Sequence, residues 1–172
     1  MSADPTPSSW LLSNLDLIPR AGRALDVACG RGRHALFLAE RGLTVRAVDR
    51  DPAAIVALRE GAAARGLAVT AEVIDLEQGS ADLGREDCDL IVVVHYLHRP
   101  LFPALVRAVA PGGLIVYETF TVEQARRGKP TNPDFLLQHG ELRRRLAPFT
   151  ILRERDGVFE GRDVAAVVAR KA

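Results

Sequence analysis

Short apolar segments alternate with helix-forming segments over most of the chain, and this alternation constrains the fold more than any other feature. Strands are predicted at residues 23–28, 44–49, 69–75, 89–94 and 114–118, and helices at 9–16, 33–41, 51–65 and 101–109. Strands that alternate with helices form a parallel sheet covered by helices on both faces, with right-handed crossovers. Ligands of such sheets lie at the carboxyl ends of the strands.

The last third of the chain has a different pattern. Residues 121–139 are polar and contain proline and glycine, and a short helix is predicted at 140–146. Two further strands, at 149–156 and 162–169, are separated by five residues, which suits a hairpin. The predicted fold class is therefore α/β, with a doubly wound, Rossmann-like, mostly parallel seven-stranded sheet, helices on both faces and a C-terminal antiparallel hairpin strand.

The size and composition of the chain fit one globular domain. It has 172 residues, of which 48% are hydrophobic and 26% charged, with a net charge of +1. One domain is predicted over residues 1–172, with residues 1–8 flexible. No apolar run is long enough to cross a membrane, and the first residues lack the basic and apolar parts of a signal peptide. We therefore expect no membrane role and a cytoplasmic location.

A glycine-containing turn follows the first predicted strand. Gly30 and Gly32 stand two apart, and Asp49 lies 19 positions after Gly30 at the end of the second strand. Small residues let backbone amides approach a ligand, and a carboxylate accepts hydrogen bonds from ribose hydroxyls. Asp51 is the alternative ribose ligand, but a helix N-cap before Pro52 explains it better. This pattern alone fits a nicotinamide dinucleotide as well as other nucleoside cofactors.

Asp26 lies inside the first predicted strand, four residues before Gly30. A carboxylate at this position faces a pyrophosphate badly but suits a cofactor that carries ammonium and sulfonium charges. Its alternative role is to accept hydrogen bonds from nearby backbone amides, because an unpaired carboxylate in a strand is costly. Together with Asp49 and Asp75–Leu76, the pattern Asp26-x-x-x-Gly30-x-Gly32 resembles motif I of class I S-adenosylmethionine-dependent methyltransferases, over nearly the whole chain.

The stretches 32–34 and 95–100 resemble the small-molecule branch typified by tellurite-resistance methyltransferases. The resemblance implies that S-adenosylmethionine is the cofactor and S-adenosylhomocysteine the product. It assigns cofactor contacts to Asp26, Ala28, Gly30, His34, Asp49, Arg50, Asp75, Leu76 and His95. Gly30 would contact the methionine part and Asp49 both ribose hydroxyls, while Asp75 and Leu76 would flank the adenine.

Two positions depart from the family pattern. Ala28 stands in place of the first glycine, which ordinary backbone angles would tolerate. His34 stands in place of the last, where it either packs over the cofactor carboxylate or points into solvent.

Transfer of a methyl group from sulfonium depends on alignment and on exclusion of water, and it does not always require an acid or a base. The candidate catalytic residues are Tyr96 and His98, just after the fourth strand, and no base is assigned. Tyr96 either contacts the sulfonium through its ring face or fills the crevice, and His98 alternatively starts a helix. The spacing of the histidines indicates no metal site.

Residues on the acceptor side are expected after the fourth and fifth strands. The candidates are Arg99, Glu118, Phe120, Asn132 and Phe135. The segment 120–139 is predicted to be a substrate-side loop or lid, with a disordered connection as the alternative. Phe135 alternatively anchors the core.

The leading hypothesis is methylation of a small molecule, at a soft nucleophile such as a thiol or a chalcogen oxyanion, by a monomer or homodimer. The short chain leaves little room for a recognition domain, which disfavours nucleic acid. One alternative is methylation of RNA or protein, with Arg126, Arg127, Lys129 and 143–145 as a landing surface. The others are a non-catalytic adenosylmethionine-binding module and a nicotinamide-dependent oxidoreductase, which Asp26 disfavours.

Overall fold

The computed structural model describes residues 5–79 and 81–172. Its helices are α1 (Ser9–Ser13), α2 (Arg33–Glu40), α3 (Pro52–Ala64), α4 (Phe102–Ala108) and α5 (Glu141–Arg145). Its strands are β1 (Arg23–Val27), β2 (Thr44–Asp49), β3 (Val69–Val73), β4 (Cys88–Val94), β5 (Val109–Phe120), β6 (Phe149–Phe159) and β7 (Arg162–Lys171). Short 3₁₀ helices lie at Arg99–Leu101, Val122–Arg126 and Pro133–Phe135.

The seven strands form one sheet in the order β3-β2-β1-β4-β5-β7-β6. The first five are parallel, whereas β7 runs antiparallel to both β5 and β6. The strand order reverses between β1 and β4, so the carboxyl ends of these two strands border the crevice in which ligands of such sheets bind. The predicted fold class is confirmed.

Two apolar cores, one on each face of the sheet, fix the position of the strand ends. Along β4, Ile91 and Val93 pack into one core, and Leu90 and Val92 pack into the other. All four side chains are buried, and each burial stabilises the fold by ~1.5–3 kcal/mol. A one-residue slip of β4 would exchange the two faces, so the pattern holds the strand end in register with its neighbours.

Several element boundaries differ from the prediction, most clearly before β5 and in the closing hairpin. The fourth helix ends at Ala108, and β5 begins at Val109, before the Pro–Gly–Gly sequence. A Cβ atom on Gly113 would come within 2.9 Å of the Cys88 carbonyl oxygen, so glycine lets β5 lie close to the start of β4. The hairpin is tighter than the predicted five-residue connection. Glu160 and Gly161, with φ of +53° and +75°, form a two-residue turn of the type I′ kind.

The predicted flexibility of residues 1–8 is wrong at Ser8, and residues 1–4 lie outside the described part. Ser8 is buried, and its hydroxyl accepts hydrogen bonds from the amides of Trp10 and Leu11 as the N-cap of α1. Among the described residues, no helix combines the length and apolar character needed to cross a membrane.

Candidate active site

Two cavities open at the carboxyl ends of the parallel strands and meet above β1 and β4. The smaller has a volume of about 680 Å³ and the larger about 1030 Å³. Ala28 and His95 line both cavities. These residues directly follow β1 and β4, so the cavities join at the crevice that the strand order defines.

Ala28 and His95 also share an uncommon backbone conformation. Their φ angles are +54° and +57°, in the left-handed region that costs a non-glycine residue about 1–2 kcal/mol. The condition under which alanine would be tolerated at this position, ordinary backbone angles, is therefore not met. The His95 amide donates a hydrogen bond to the Glu118 carbonyl oxygen at 2.8 Å. The His95 ring stacks on the Phe120 ring, with centroids 4.7 Å apart. Such strain persists only where the surroundings hold it, as at ligand-binding sites.

The smaller cavity brings together four of the residues assigned to the adenosine part of the cofactor, which are Asp49, Arg50, Asp75 and Leu76. Asp49 accepts hydrogen bonds from the amides of Gly30 at 2.8 Å and Asp51 at 2.9 Å. These bonds fix the direction of its carboxylate. Asp75 accepts from the Glu77 amide at 3.0 Å.

Asp51, the alternative ribose ligand, lines neither of the two cavities. Its side chain caps α3 by accepting from the Ala53 amide at 2.9 Å. The predicted N-cap role is confirmed.

The two glycines of the turn have different surroundings. A Cβ atom on Gly30 would meet nothing within 4 Å, and Gly30 lines the larger cavity. A Cβ atom on Gly32 would lie 2.2 Å from Leu58 Cδ1 of α3. Gly30 therefore keeps the cavity open, whereas Gly32 allows α3 to pack closely.

Asp26 is buried and lines neither cavity. Its Oδ2 accepts a hydrogen bond from the Ala35 amide at 3.0 Å, which is the alternative role that the sequence left open. Burial raises the pKa of the Asp26 carboxyl to about 7, although the Ala35 amide and the charge of Arg33 act in the opposite direction. The structure thus places Asp26 behind the site, between β1 and α2.

His34 is buried at the start of α2 and lines the larger cavity, so the interpretation that it points into solvent is wrong. Its Nε2 accepts a hydrogen bond from the Ser8 amide at 3.0 Å. Burial lowers the pKa of His34 to about 3, with the charges of Arg33 and His95 adding to the effect. The ring is therefore neutral, and because Nε2 accepts, its proton lies on Nδ1.

Glu118 and Arg155 form an ion pair in the wall of the larger cavity, with 5% and 16% of their side chains exposed. Glu118 accepts from the Ser8 hydroxyl at 3.0 Å through Oε1 and from Arg155 through Oε2. The Arg155 guanidinium lies over the rings of Trp10 and Phe159, at 5.1 and 4.1 Å from their centroids.

Sequence reasoning included Glu118 but missed Ser8, Arg155 and Phe159. Arg155 of β6 lies opposite Ala166 of β7, and Ala166 lies opposite Glu118 of β5, so Arg155 reaches Glu118 across β7. The one available signal is a basic residue within the predicted strand 149–156.

Of the two catalytic candidates, only Tyr96 lines a cavity. Tyr96 lines the smaller cavity, and burial raises the pKa of its phenol to about 12. His98 is the N-cap residue of the 3₁₀ helix Arg99–Leu101 and lines neither cavity, which favours its alternative helix-start role. Burial and the charges of Arg162 and Arg33 lower the pKa of His95 to about 4.

Arg99 lines neither cavity, so the structure does not support its assignment to the acceptor side. Its guanidinium pairs with Glu141 at 2.7 Å and donates to the carbonyl oxygens of Asp134 at 3.0 Å and Leu136 at 2.9 Å. Burial alone would raise the pKa of Glu141, but hydrogen bonds from Arg99, the Gln138 amide and Arg145 lower it to about 2. Arg99 therefore fastens the loop before α5.

Phe120, Asn132 and Phe135 line the smaller cavity, on the side predicted for the cofactor. Phe135 is 48% exposed, so its alternative role as a core anchor is wrong. The segment 120–139 carries two 3₁₀ helices and a parallel bridge between Thr121 and Leu137. It forms one wall of the smaller cavity. Among the described residues, no group of three or more His, Cys, Asp or Glu side chains could hold a metal ion.

A sheet of this strand order, with cavities at the carboxyl ends of β1 and β4, is the architecture of class I methyltransferases. Residues 24–113 match the family described as the methyltransferase domain, and the chain belongs to that family. The predicted methyltransferase class, and S-adenosylmethionine as the cofactor of that class, are confirmed.

Two curated relatives are similar in sequence. Hemagglutinin 1 of Eikenella corrodens is 32% identical over 145 residues, covering 79% of this chain and 46% of that protein. The 2-heptyl-1-hydroxyquinolin-4(1H)-one methyltransferase of Mycobacteroides abscessus is 34% identical over 105 residues, covering 58% and 46%. The chain spans about half the length of these relatives.

Solved structures share the fold. TehB from Haemophilus influenzae superposes with a TM-score of 0.81 at 20% identity, covering 96% of this chain and 63% of that one. An S-adenosylmethionine-dependent methyltransferase from Mesorhizobium loti gives 0.77 at 20% identity, covering 95% and 98%. The structure described for conversion of a disulfide bond into a thioacetal group during echinomycin biosynthesis gives 0.71 at 26% identity, covering 96% and 81%.

Proposed function

We propose that the protein transfers the methyl group of S-adenosylmethionine to a small-molecule acceptor. The observation that carries this proposal is the meeting of two cavities at Ala28 and His95. One cavity holds the acids assigned to a nucleoside, and the other offers separate space for an acceptor. A transfer reaction needs two such sites that share one boundary.

The residues present fit the cofactor by their chemistry. Asp49 would hold the ribose hydroxyls, because its carboxylate lines the smaller cavity and is aimed by two backbone amides. Asp75 and Leu76 would flank the adenine, and Gly30 would leave room for the methionine part. When bound, the cofactor supplies an electrophilic methyl group on a positively charged sulfur.

The titratable side chains around the junction of the two cavities are weak bases. His95, with a pKa of about 4, and His34, with a pKa of about 3, are neutral at pH 7 and bind protons poorly. Both carboxylate oxygens of Glu118 already accept hydrogen bonds. These features favour an acceptor that reaches the site deprotonated, so we propose a soft nucleophile such as a thiolate or a chalcogen oxyanion. The sulfur chemistry described for the echinomycin structure agrees with this proposal.

The alternative of a larger substrate has less support. Of the arginines proposed as a landing surface, Arg126 pairs with Glu123, Arg127 with Asp163, Arg143 with Glu154 and Arg145 with Glu141. Guanidinium groups that already neutralise carboxylates contribute less to phosphate binding. The exclusion of nucleic acid, the monomeric or homodimeric state and the cytoplasmic location stay predictions.

The test is calorimetric titration of S-adenosylhomocysteine into the wild type, Asp49→Asn and Asp51→Asn. Asparagine keeps one acceptor oxygen, so Asp51→Asn keeps its single backbone hydrogen bond and Asp49→Asn keeps one of its two. Because Asp49→Asn loses a charged hydrogen bond to the ribose, we expect this variant alone to bind S-adenosylhomocysteine at least about tenfold more weakly. Equal affinities in Asp49→Asn and the wild type would overturn the ribose assignment. Formation of S-adenosylhomocysteine with selenite, tellurite or a thiol then separates an enzyme from a non-catalytic module.

A further inference from the structure

We propose, on the basis of the proposed function, that the larger cavity takes an organic anion with an apolar body as the methyl acceptor. Its anionic group would lie beside Arg155 and Arg162, and its body would lie against Phe159 and the neighbouring apolar side chains. The proposal rests on an unpartnered donor, on the balance of charge and on the shape and lining of the cavity.

Arg155 retains an unused donor beside the cavity. Its Nη2 donates to Glu118 and to the Ser9 hydroxyl, but its Nε is buried without a hydrogen-bond partner among the described residues. A buried donor left unpaired is costly, and a guanidinium edge matches the geometry of a carboxylate or similar anion. Because the Nε itself has no accessible surface, an anionic acceptor would first meet the exposed part of the guanidinium and would reach the Nε only after neighbouring side chains move.

The charge around this part of the cavity is positive. Glu118 is neutralised by Arg155, and Arg65 pairs with Glu40 at the other side of the cavity. Among the described residues, three further charged groups line the cavity without an ion pair, of which Arg31 and Arg33 are positive and Glu160 is negative. Arg162 also lines the cavity and forms no ion pair within the described part of the chain. Its charge reaches the junction, where it contributes to the lowered pKa of His95. A positive potential of this kind concentrates anions at the point of transfer.

The cavity is much larger than a bare oxyanion needs, so of the two soft nucleophiles proposed above it favours an organic thiolate. Its volume of about 1030 Å³ matches pockets for whole organic molecules, even after the methionine part of the cofactor takes its share. Leu12, Leu36, Phe37 and Phe159 line it. Phe159 lies under the Arg155 guanidinium, so a flat apolar group beside this ring would contact the cation and the ring together.

The experiment compares three probes by calorimetry, with and without saturating S-adenosylhomocysteine. 1-Naphthoate carries an anion on an aromatic body, 1-naphthamide is its neutral equivalent, and selenite is an anion without a body. Each is titrated into the wild type, Arg162→Gln and Arg170→Gln. Arg162 and Arg170 are both exposed and both lie on β7, but only Arg162 lines the cavity.

We expect naphthoate to bind the wild type at least about tenfold more tightly than naphthamide or selenite. Arg162→Gln should weaken the binding of naphthoate alone, by about tenfold. Arg170→Gln should bind like the wild type. Equal binding of naphthoate and naphthamide, or unchanged binding in Arg162→Gln, would overturn the anion site. Naphthoate binding without any S-adenosylhomocysteine binding would uphold the anion site and overturn the proposed function.

Discussion

Asp26 Oδ2 accepts a hydrogen bond from the backbone amide of Ala35, and this contact joins β1 to the first turn of α2. The carboxylate lies next to the glycine turn without lining either cavity. It therefore holds the turn in place from behind, in a position where water cannot solvate its charge.

Replacing Asp26 by asparagine is expected to change how stability depends on pH. The pKa of Asp26 is about 7 in the folded protein against 3.8 for the free side chain, so folding favours the protonated form. Its contribution is complete below pH 3.8 and is lost as the pH rises through 7. The asparagine side chain of the variant cannot ionise and keeps an acceptor for the Ala35 amide. Asp26→Asn should gain at least about 1 kcal/mol relative to the wild type between about pH 5 and pH 8.

Urea unfolding at the two pH values measures this gain. Asp82→Asn is the control, because exposed Asp82 also accepts a backbone hydrogen bond, from Gly84. Parallel pH profiles for Asp26→Asn and the wild type would show that the carboxylate is not penalised by burial.

Gly30→Ala and Gly66→Ala should lower stability equally but differ in their effect on ligand binding. Gly30 and Gly66 both have positive φ, and a Cβ atom on either would meet nothing within 4 Å. Each substitution should therefore cost about 1 kcal/mol of folding free energy. Only Gly30 lines a cavity, so only Gly30→Ala should lose affinity for S-adenosylhomocysteine. Chemical unfolding and calorimetry on the same two variants test this, and equal affinities would remove Gly30 from the binding site.

Glu141→Gln should remove a stabilising contact that depends on pH. The pKa of Glu141 falls from 4.5 to about 2 on folding, so its stabilisation is present above pH 4.5 and is lost as the pH falls through 2. We expect the variant to be about 2 kcal/mol less stable than the wild type at about pH 7 and the difference to close below about pH 4.5. Thermal unfolding followed by circular dichroism across this pH range measures it.

Glu154→Gln is the matched control, because Glu154 also pairs with an arginine but is 51% exposed. An exposed pair contributes at most about 1 kcal/mol. If Glu141→Gln and Glu154→Gln lowered the free energy of unfolding by the same small amount, the proposal that Arg99 and Glu141 fasten the loop before α5 would be contradicted.

The parts of the site that follow from local pattern could be predicted from the sequence. Asp49 and Asp75 follow neighbouring parallel strands, and the ends of such strands meet at one edge of the sheet. Apolar periodicity and glycine positions were sufficient to place those strands.

The remaining features depend on contacts between distant parts of the chain or on backbone strain. No local signal shows that Ala28 adopts a positive φ, because alanine disfavours that conformation and only its surroundings impose it. The position of Arg99 after the fourth strand predicts a substrate contact, and no local signal indicates its partner Glu141, which lies 42 residues away. Ser8 and Arg155 meet Glu118 across 110 and 37 residues, through side-chain bonds that have no sequence period.

The position of Ser8 has a consequence for biosynthesis. Ser8 bonds to Glu118, and the neighbouring Trp10 donates its indole N–H to the Val167 carbonyl oxygen, across 157 residues. During translation these early residues must wait for β5 and β7 to be synthesised before they can dock. The Ser8 wall of the larger cavity therefore forms only after β5 and β7 have been synthesised.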